Sequence, residues 1–191
     1  MNDVNAHILS KSTAKAKLLF DANIFSYAED AYHATGYHLL DYMETIKGTV
    51  DWFVGSRVAV DLYNNKILPG ILKNILNCDY PDVKMDQFPY VKKDGSVGFV
   101  KLNKLSGDDW SQICLAYNYQ ELIVVTNDSR MFKSAHPVLE GRAIGFHDFL
   151  EKISPYWQND ENWQTLLKWF IDNKHPLRNN SSWILPSDAQ N

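Results

Sequence analysis

The chain has 191 residues, of which 45% are hydrophobic and 22% charged, and its net charge is −4. This is the composition of one ordinary globular domain with enough sequence for a sizeable core, and it excludes a disordered or fibrous chain. The acidic balance lacks the basic signature usual for nucleic-acid binders. Two cysteines, Cys78 and Cys114, are too few for a disulfide framework and imply a reduced, cytoplasmic setting. No apolar run has the length of a membrane span and the N-terminus carries no apolar leader, so no membrane partner is expected.

Residues 1–16 read as a flexible arm. The stretch K-L-L-F-D-A-N-I-F at 17–25 then reads as a short buried strand that stops on Asp21 and passes into a helix. From Ile24 to Lys47 apolar side chains recur at three- and four-residue steps, and Gly36 leaves open either two helices or one bent one. V-D-W-F-V at 50–54 is a second strand, with Gly55 and Ser56 as turn and helix cap. A helix over 57–67 carries Asp61, and a further short helix is expected over 71–76. The segment 78–105 breaks the alternation of strands and helices. In it two apolar runs flank Asp94-Gly95, the signal of a β-hairpin-like insertion.

Ser106-Gly-Asp-Asp opens a helix that runs to about Tyr119. L-I-V-V-T at 122–126 is the continuous apolar run of a buried parallel strand, and it closes on Asn127-Asp128. A helical turn at 129–134, a strand at 142–146 and a helix at 147–153 follow. Beyond Pro155 a tryptophan-rich helix over 159–173 reads as core packing. Alternating strands and helices of this kind predict an α/β fold: a three-layer α/β/α sandwich around a mainly parallel sheet, with the hairpin-like insertion and a C-terminal helical extension.

Two strands therefore end on an acid, Asp21 and Asp128. Strands of one parallel sheet end on the same edge, which is where open α/β sheets bind ligands. Asp108 and Asp109 at a helix start and Asp61 on its helix can join them. Taken singly, Asp21 reads equally as a turn or cap residue, Asp108 as a helix N-cap and Asp61 as a solvated helix acid. Taken together, converging carboxylates need a cation between them, and an all-oxygen site suits Mg²⁺ or Mn²⁺.

The string L-L-F-D-A-N-I-F resembles the opening of the PIN-domain ribonucleases, the fold of VapC-type toxins. The stretch D-D-W-S-Q-I-C-L-A-Y-N-Y-Q-E-L-I-V-V-T-N-D is similar to their second signature. In both, an acid is followed by alanine seven residues on, here Asp109 and Ala116, and then by an apolar strand closing on T-N-D. The resemblance runs over about 17–149, places the PIN-like domain at 17–154 with an insertion at about 78–105, and leaves 155–191 as an extension. It implies a metal-dependent endoribonuclease whose catalytic acids are Asp21, Asp61, Asp109 and Asp128, with Mg²⁺ or Mn²⁺ on Asp21, Asp109 and Asp128. Asp61 stands where the family usually has glutamate, one methylene longer. Asn23, Asn127 and Asp108 are implied to orient the acids. The partners implied are RNA, an antitoxin protein and a second copy in a homodimer.

Two other classes stay open. One is a PIN-like scaffold that binds RNA or protein with a weakened metal site. The other is an aspartyl-phosphate phosphatase of the haloacid dehalogenase type, disfavoured because Asn23 stands where that chemistry needs a second aspartate. Lys92, Lys93, Lys101 and Lys104, interleaved with Tyr90 and Phe99, are candidates to grip RNA, or else simply solvate a hairpin edge. The six histidines show no zinc-type spacing. His38, on an apolar stripe, reads as a hydrogen-bonded, partly buried side chain, and Cys114 as core.

Overall fold

A computed structural model describes residues 15–64, 76–77, 80–101 and 105–179. The fold is α/β. Four strands, β1 (Ala16–Phe20), β2 (Val50–Phe53), β6 (Leu122–Thr126) and β7 (Ala143–Gly145), form a parallel sheet. A two-residue strand, β3 (Leu76–Asn77), extends it beside β2, giving the order β3-β2-β1-β6-β7. The sequence reads residue 76 as the end of a helix, because a two-residue strand has no period to recognise. The rest of that expected helix, 71–75, lies outside the described residues.

The strand order is what positions a site. From β1 the chain moves outward through β2 to β3, then returns to pair β6 on the opposite side of β1. The order reverses between β1 and β6, so a crevice opens at the C-terminal ends of those two strands. Asp21 follows β1 directly, and its N–H donates to Val125 O of β6 at 3.0 Å.

Both faces of the sheet are covered, which explains the uninterrupted apolar strands. Leu18, Phe20 and Trp52 face a core shared with helices α1 (Ala22–Thr35), α2 (Leu39–Thr45), α6 (Phe146–Ile153) and α7 (Glu161–Lys174). Leu19, Phe53 and Val124 face the other core, filled by α4 (Gly107–Asn118) and α5 (Ser129–Ala135). On the first face the rings of Phe20, Trp52 and Phe149 meet edge to face or tilted, with centroids 5.2 to 6.1 Å apart. Helix α3 (Ser56–Asn64) follows β2 and starts at Ser56 itself.

The region read as one bent helix or two is two. Gly36 takes φ 78°, a left-handed conformation that closes α1, and its N–H donates to Tyr32 O at 2.8 Å. His38 then caps α2, its Nδ1 accepting from Leu40 N at 3.1 Å. Burial pushes the His38 imidazole below its ordinary range, against the opposing field of Glu29. Because Nδ1 accepts from Leu40 N, the ring proton sits on Nε2, which faces Glu29 Oε1 at 3.7 Å.

The segment read as an insertion holds a hairpin of β4 (Gln87–Val91) and β5 (Val97–Lys101), antiparallel, turning through Gly95 at φ 81°. The C-terminal helix belongs to the core: Trp163, Leu166 and Phe170 of α7 are fully buried, and the Trp163 ring lies 5.0 Å from that of Tyr42. No described helix is long and apolar enough to cross a membrane. Cys78 and Lys104 lie outside the described residues.

After α7 the chain runs back along β7 as a strap, residues 175–179. Gly145 N donates to Asn179 Oδ1 at 2.8 Å, His147 N to Leu177 O at 3.1 Å, and Asn179 N to Asp148 Oδ2 at 2.8 Å. A Cβ on Gly145 would collide with the Leu177 carbonyl. Gly145→Ala should therefore displace the strap and lower stability by about 1–3 kcal/mol. Urea unfolding, with limited proteolysis as a second probe, checks this, and wild-type stability with wild-type protease resistance would contradict it.

Candidate functional site

Asp21 ends β1 and N-caps α1, and Asp128 follows β6 and N-caps α5. The cap reading and the cluster reading of Asp21 are thus compatible. The Asp128 carboxylate uses Oδ1 for capping, accepting from Arg130 N at 2.6 Å and Met131 N at 2.9 Å, which leaves Oδ2 free of the cap. Asp109 lies in the first turn of α4, whose N-cap is Ser106: Asp109 N donates to Ser106 Oγ at 3.1 Å.

Asp21 is 4% exposed, a costly position for a carboxylate. Thr126 Oγ1 donates to its Oδ2 at 2.8 Å, Asn23 Nδ2 to the same oxygen at 3.3 Å and Asn23 N to Oδ1 at 3.5 Å. These bonds favour the charged form, yet burial outweighs them, and the fields of Asp109 and Asp128 add to it. Together they push the Asp21 carboxyl up to about 6. Asp109 is also raised, first by burial, then by the fields of Asp128 and Asp108, against the hydrogen bonding of Ser106. Asp109 and Asp128 therefore act on Asp21, and Asp128 on Asp109, as like charges close enough to be felt.

Thr126, which the sequence reading treated only as the last strand residue, joins the site. Its hydroxyl accepts from Asp128 N at 2.9 Å while donating to Asp21. One side chain thus fixes the ends of β1 and β6 relative to each other. Gln112 was missed as well. It is 1% exposed, its side-chain amide has no hydrogen-bond partner among the described residues, and it stands against Gly55 at the end of β2.

The remaining predicted residues divide differently. Asn23 orients Asp21, as the resemblance implies. Asn127 does not orient the acids. Its Oδ1 accepts from Leu177 N and its Nδ2 donates to Lys174 O at 3.4 Å, so it holds the strap and the last residue of α7. Asp108 is not the cap of α4; it receives Arg57 Nε at 3.1 Å from α3. Asp61 is on α3, and its side chain lies outside the described residues. Lys92, Lys93 and Lys101 are exposed on the hairpin, and nothing places them in the carboxylate crevice.

A second group of possible ligands was not foreseen. His147, Asp148 and Glu151 of α6 bring one ligand atom each within 4.8 Å of one another and could hold a metal ion. The Asp21–Asp109–Asp128 set is not drawn together to that spacing. The α6 set, however, already faces a cation: Arg178 Nη2 lies 2.8 Å from His147 Nε2 and 2.8 Å from Glu151 Oε1. Asp148 in turn accepts from the strap. Its charges are compensated by the protein, whereas no cationic side chain is among the groups that act most on Asp21 and Asp109. No H-x-H motif marks the α6 set; one turn of a single helix assembles it, with His147 and Glu151 at i and i+4.

Comparison with family models, with curated proteins and with solved structures returned no match to this chain.

The raised Asp21 carboxyl makes a pH prediction. Its folded value, about 6, lies above the unfolded 3.8, so folding takes up a proton between these pH values. Stability then falls as pH rises through that window, by roughly 3 kcal/mol in all. Asp21→Asn should be more stable than wild type at pH 8, with the difference closing near pH 4. Urea unfolding at the two pH values measures it. A variant destabilised equally at both would contradict the assignment.

Proposed function

We propose that this chain is a metal-dependent endoribonuclease of PIN type that hydrolyses RNA phosphodiester bonds. The observation that carries the reading is the mutual field of Asp21, Asp109 and Asp128 at the β1/β6 crevice, with Asp21 and Asp109 both raised by burial and like charge. Such an arrangement is costly as pure structure, and perturbed acids in a crevice are a signature of function. The PIN resemblance, which rests on the same residues and their spacing, supplies the reaction class.

The donor set fits a hard divalent cation, Mg²⁺ or Mn²⁺, because all its groups are carboxylate oxygens and Asp128 Oδ2 is not used in the helix cap. Asp21, Asp109 and Asp128 would hold it, with Asp61 assisting from α3. When bound, such an ion lends Lewis acidity and offsets charge developing on the phosphoryl oxygens.

The chain's own groups prepare the reaction. Thr126 and Asn23 fix the Asp21 carboxylate, and Ser106 and the α5 cap fix the helix starts that carry Asp109 and Asp128. Three negative side chains in a crevice would repel an RNA phosphate, so substrate approach depends on neutralising them. In the hydrolysis, water adds its oxygen to phosphorus, the bond from phosphorus to the leaving ribose oxygen breaks, and the water's protons pass to the leaving oxygen and to solvent.

Mn²⁺-dependent cleavage of a mixed-sequence RNA tests the reading. Asp21→Asn and Asp128→Asn should each lose at least about a hundredfold in rate, the scale expected for a group acting in electrostatic stabilisation. Thr126→Val should lose about tenfold through misplacement of Asp21. Equal cleavage by wild type and both aspartate variants would overturn the proposal. Absence of both cleavage and Mn²⁺ affinity in the wild type would favour a PIN-like scaffold.

A further inference from the structure

The β4–β5 hairpin lies outside the carboxylate crevice, and the reaction above does not use it. Its inner face is anchored: Phe88 is fully buried, with its ring 4.6 Å from Trp110 and 4.8 Å from Tyr117. Strand alternation then turns Pro89, Val91, Val97, Phe99 and Lys101 outward. Val91 is 74% exposed, Val97 58% and Phe99 51%, with Pro89 opposite Phe99 across the strands. Beside this face runs a groove of about 370 Å³ in which Tyr90 and Tyr117 take part.

Lys15, Lys17, Lys47, Lys168 and Lys174 each have a carboxylate 2.6 to 3.6 Å away. Lys92, Lys93 and Lys101 have none among the described residues. The hairpin's single acid, Asp94, is turned into its own loop, accepting from Ser96 N at 2.9 Å and Ser96 Oγ at 2.7 Å. In a chain of net charge −4, the hairpin carries three lysines against one acid around an exposed ring, and Glu140 lines the groove beside it.

Resting on the ribonuclease reading, we propose that this outward hairpin face is a platform for single-stranded RNA, with a base stacked on Phe99 and phosphates held by Lys92, Lys93 and Lys101. A polyanion complements three unpaired lysines, and a stacking ring requires an unpaired base, which selects a single strand over a duplex. The placement suits a substrate of the crevice: Lys101 is five residues before Ser106, the cap of the helix that carries Asp109, so the chain allows at most about 18 Å between them.

Fluorescence anisotropy with a short labelled oligouridylate, in EDTA to suppress cleavage, tests the platform. Replacing Lys92, Lys93 and Lys101 together by glutamine should weaken binding at least tenfold and flatten the salt dependence by about two counterions. Phe99→Ala should weaken it about tenfold, and Phe99→Trp should restore it. These positions are exposed, and unchanged melting temperatures serve as the folding control. Wild-type affinity and salt slope in the lysine and Phe99→Ala variants would overturn the platform, and if Asp21→Asn still abolished cleavage the nuclease reading would stand. Binding that depends on the hairpin without any cleavage by the wild type would support the platform and overturn the nuclease reading. A wild-type dimer that Phe99→Ala turns into monomers with unchanged RNA affinity would assign the face to a second copy and overturn the platform.

Discussion

The Thr126 hydroxyl holds the centre of this molecule together. It donates to the buried carboxylate of Asp21 and accepts from the backbone of Asp128, so the ends of β1 and β6 are tied by one oxygen. Both strands are apolar and buried, and both must stop at the sheet edge where their helices begin. Without that hydroxyl the buried Asp21 carboxylate would lose its shortest hydrogen bond, and an unsatisfied buried carboxylate costs more than the net gain of an ordinary hydrogen bond. The sheet order adds the crevice: because the chain reverses direction around β1, the two acids that follow β1 and β6 open onto the same space.

Two acid-containing groups illustrate how like-looking clusters differ physically. His147, Asp148 and Glu151 lie close together, but Arg178 and the strap supply their partners. Asp21, Asp109 and Asp128 are less tightly drawn together, yet burial and mutual repulsion raise two of them. Proximity alone favours the first group as a metal site. Uncompensated charge favours the second, and charge decides what a cation gains on binding.

Much of this was legible in the sequence where the signal was local. The apolar runs ending on Asp21 and Asp128 declare buried parallel strands, and Asp94-Gly95 declares the hairpin turn. Gly36 showed that the long helical pattern would be weakened, and only its positive φ decides for two helices. What could not be read depends on contacts between distant residues. Asn127 sits beside Asp128 in sequence, but its side chain is held by a strap fifty residues away. Asp108 looked like a cap until Arg57, fifty-one residues earlier, was seen to engage it, with Ser106 capping instead. Thr126 stood in plain view as the last residue of a strand, and its role follows only from the pairing of β6 with β1.

The central claim is that Asp21, Asp109 and Asp128 bind a divalent ion, and crystals soaked in Mn²⁺ test it most directly through anomalous scattering. The account predicts a peak among those three carboxylates, abolished by Asp21→Asn. A peak confined to His147, Asp148 and Glu151, or no peak at all, would contradict it.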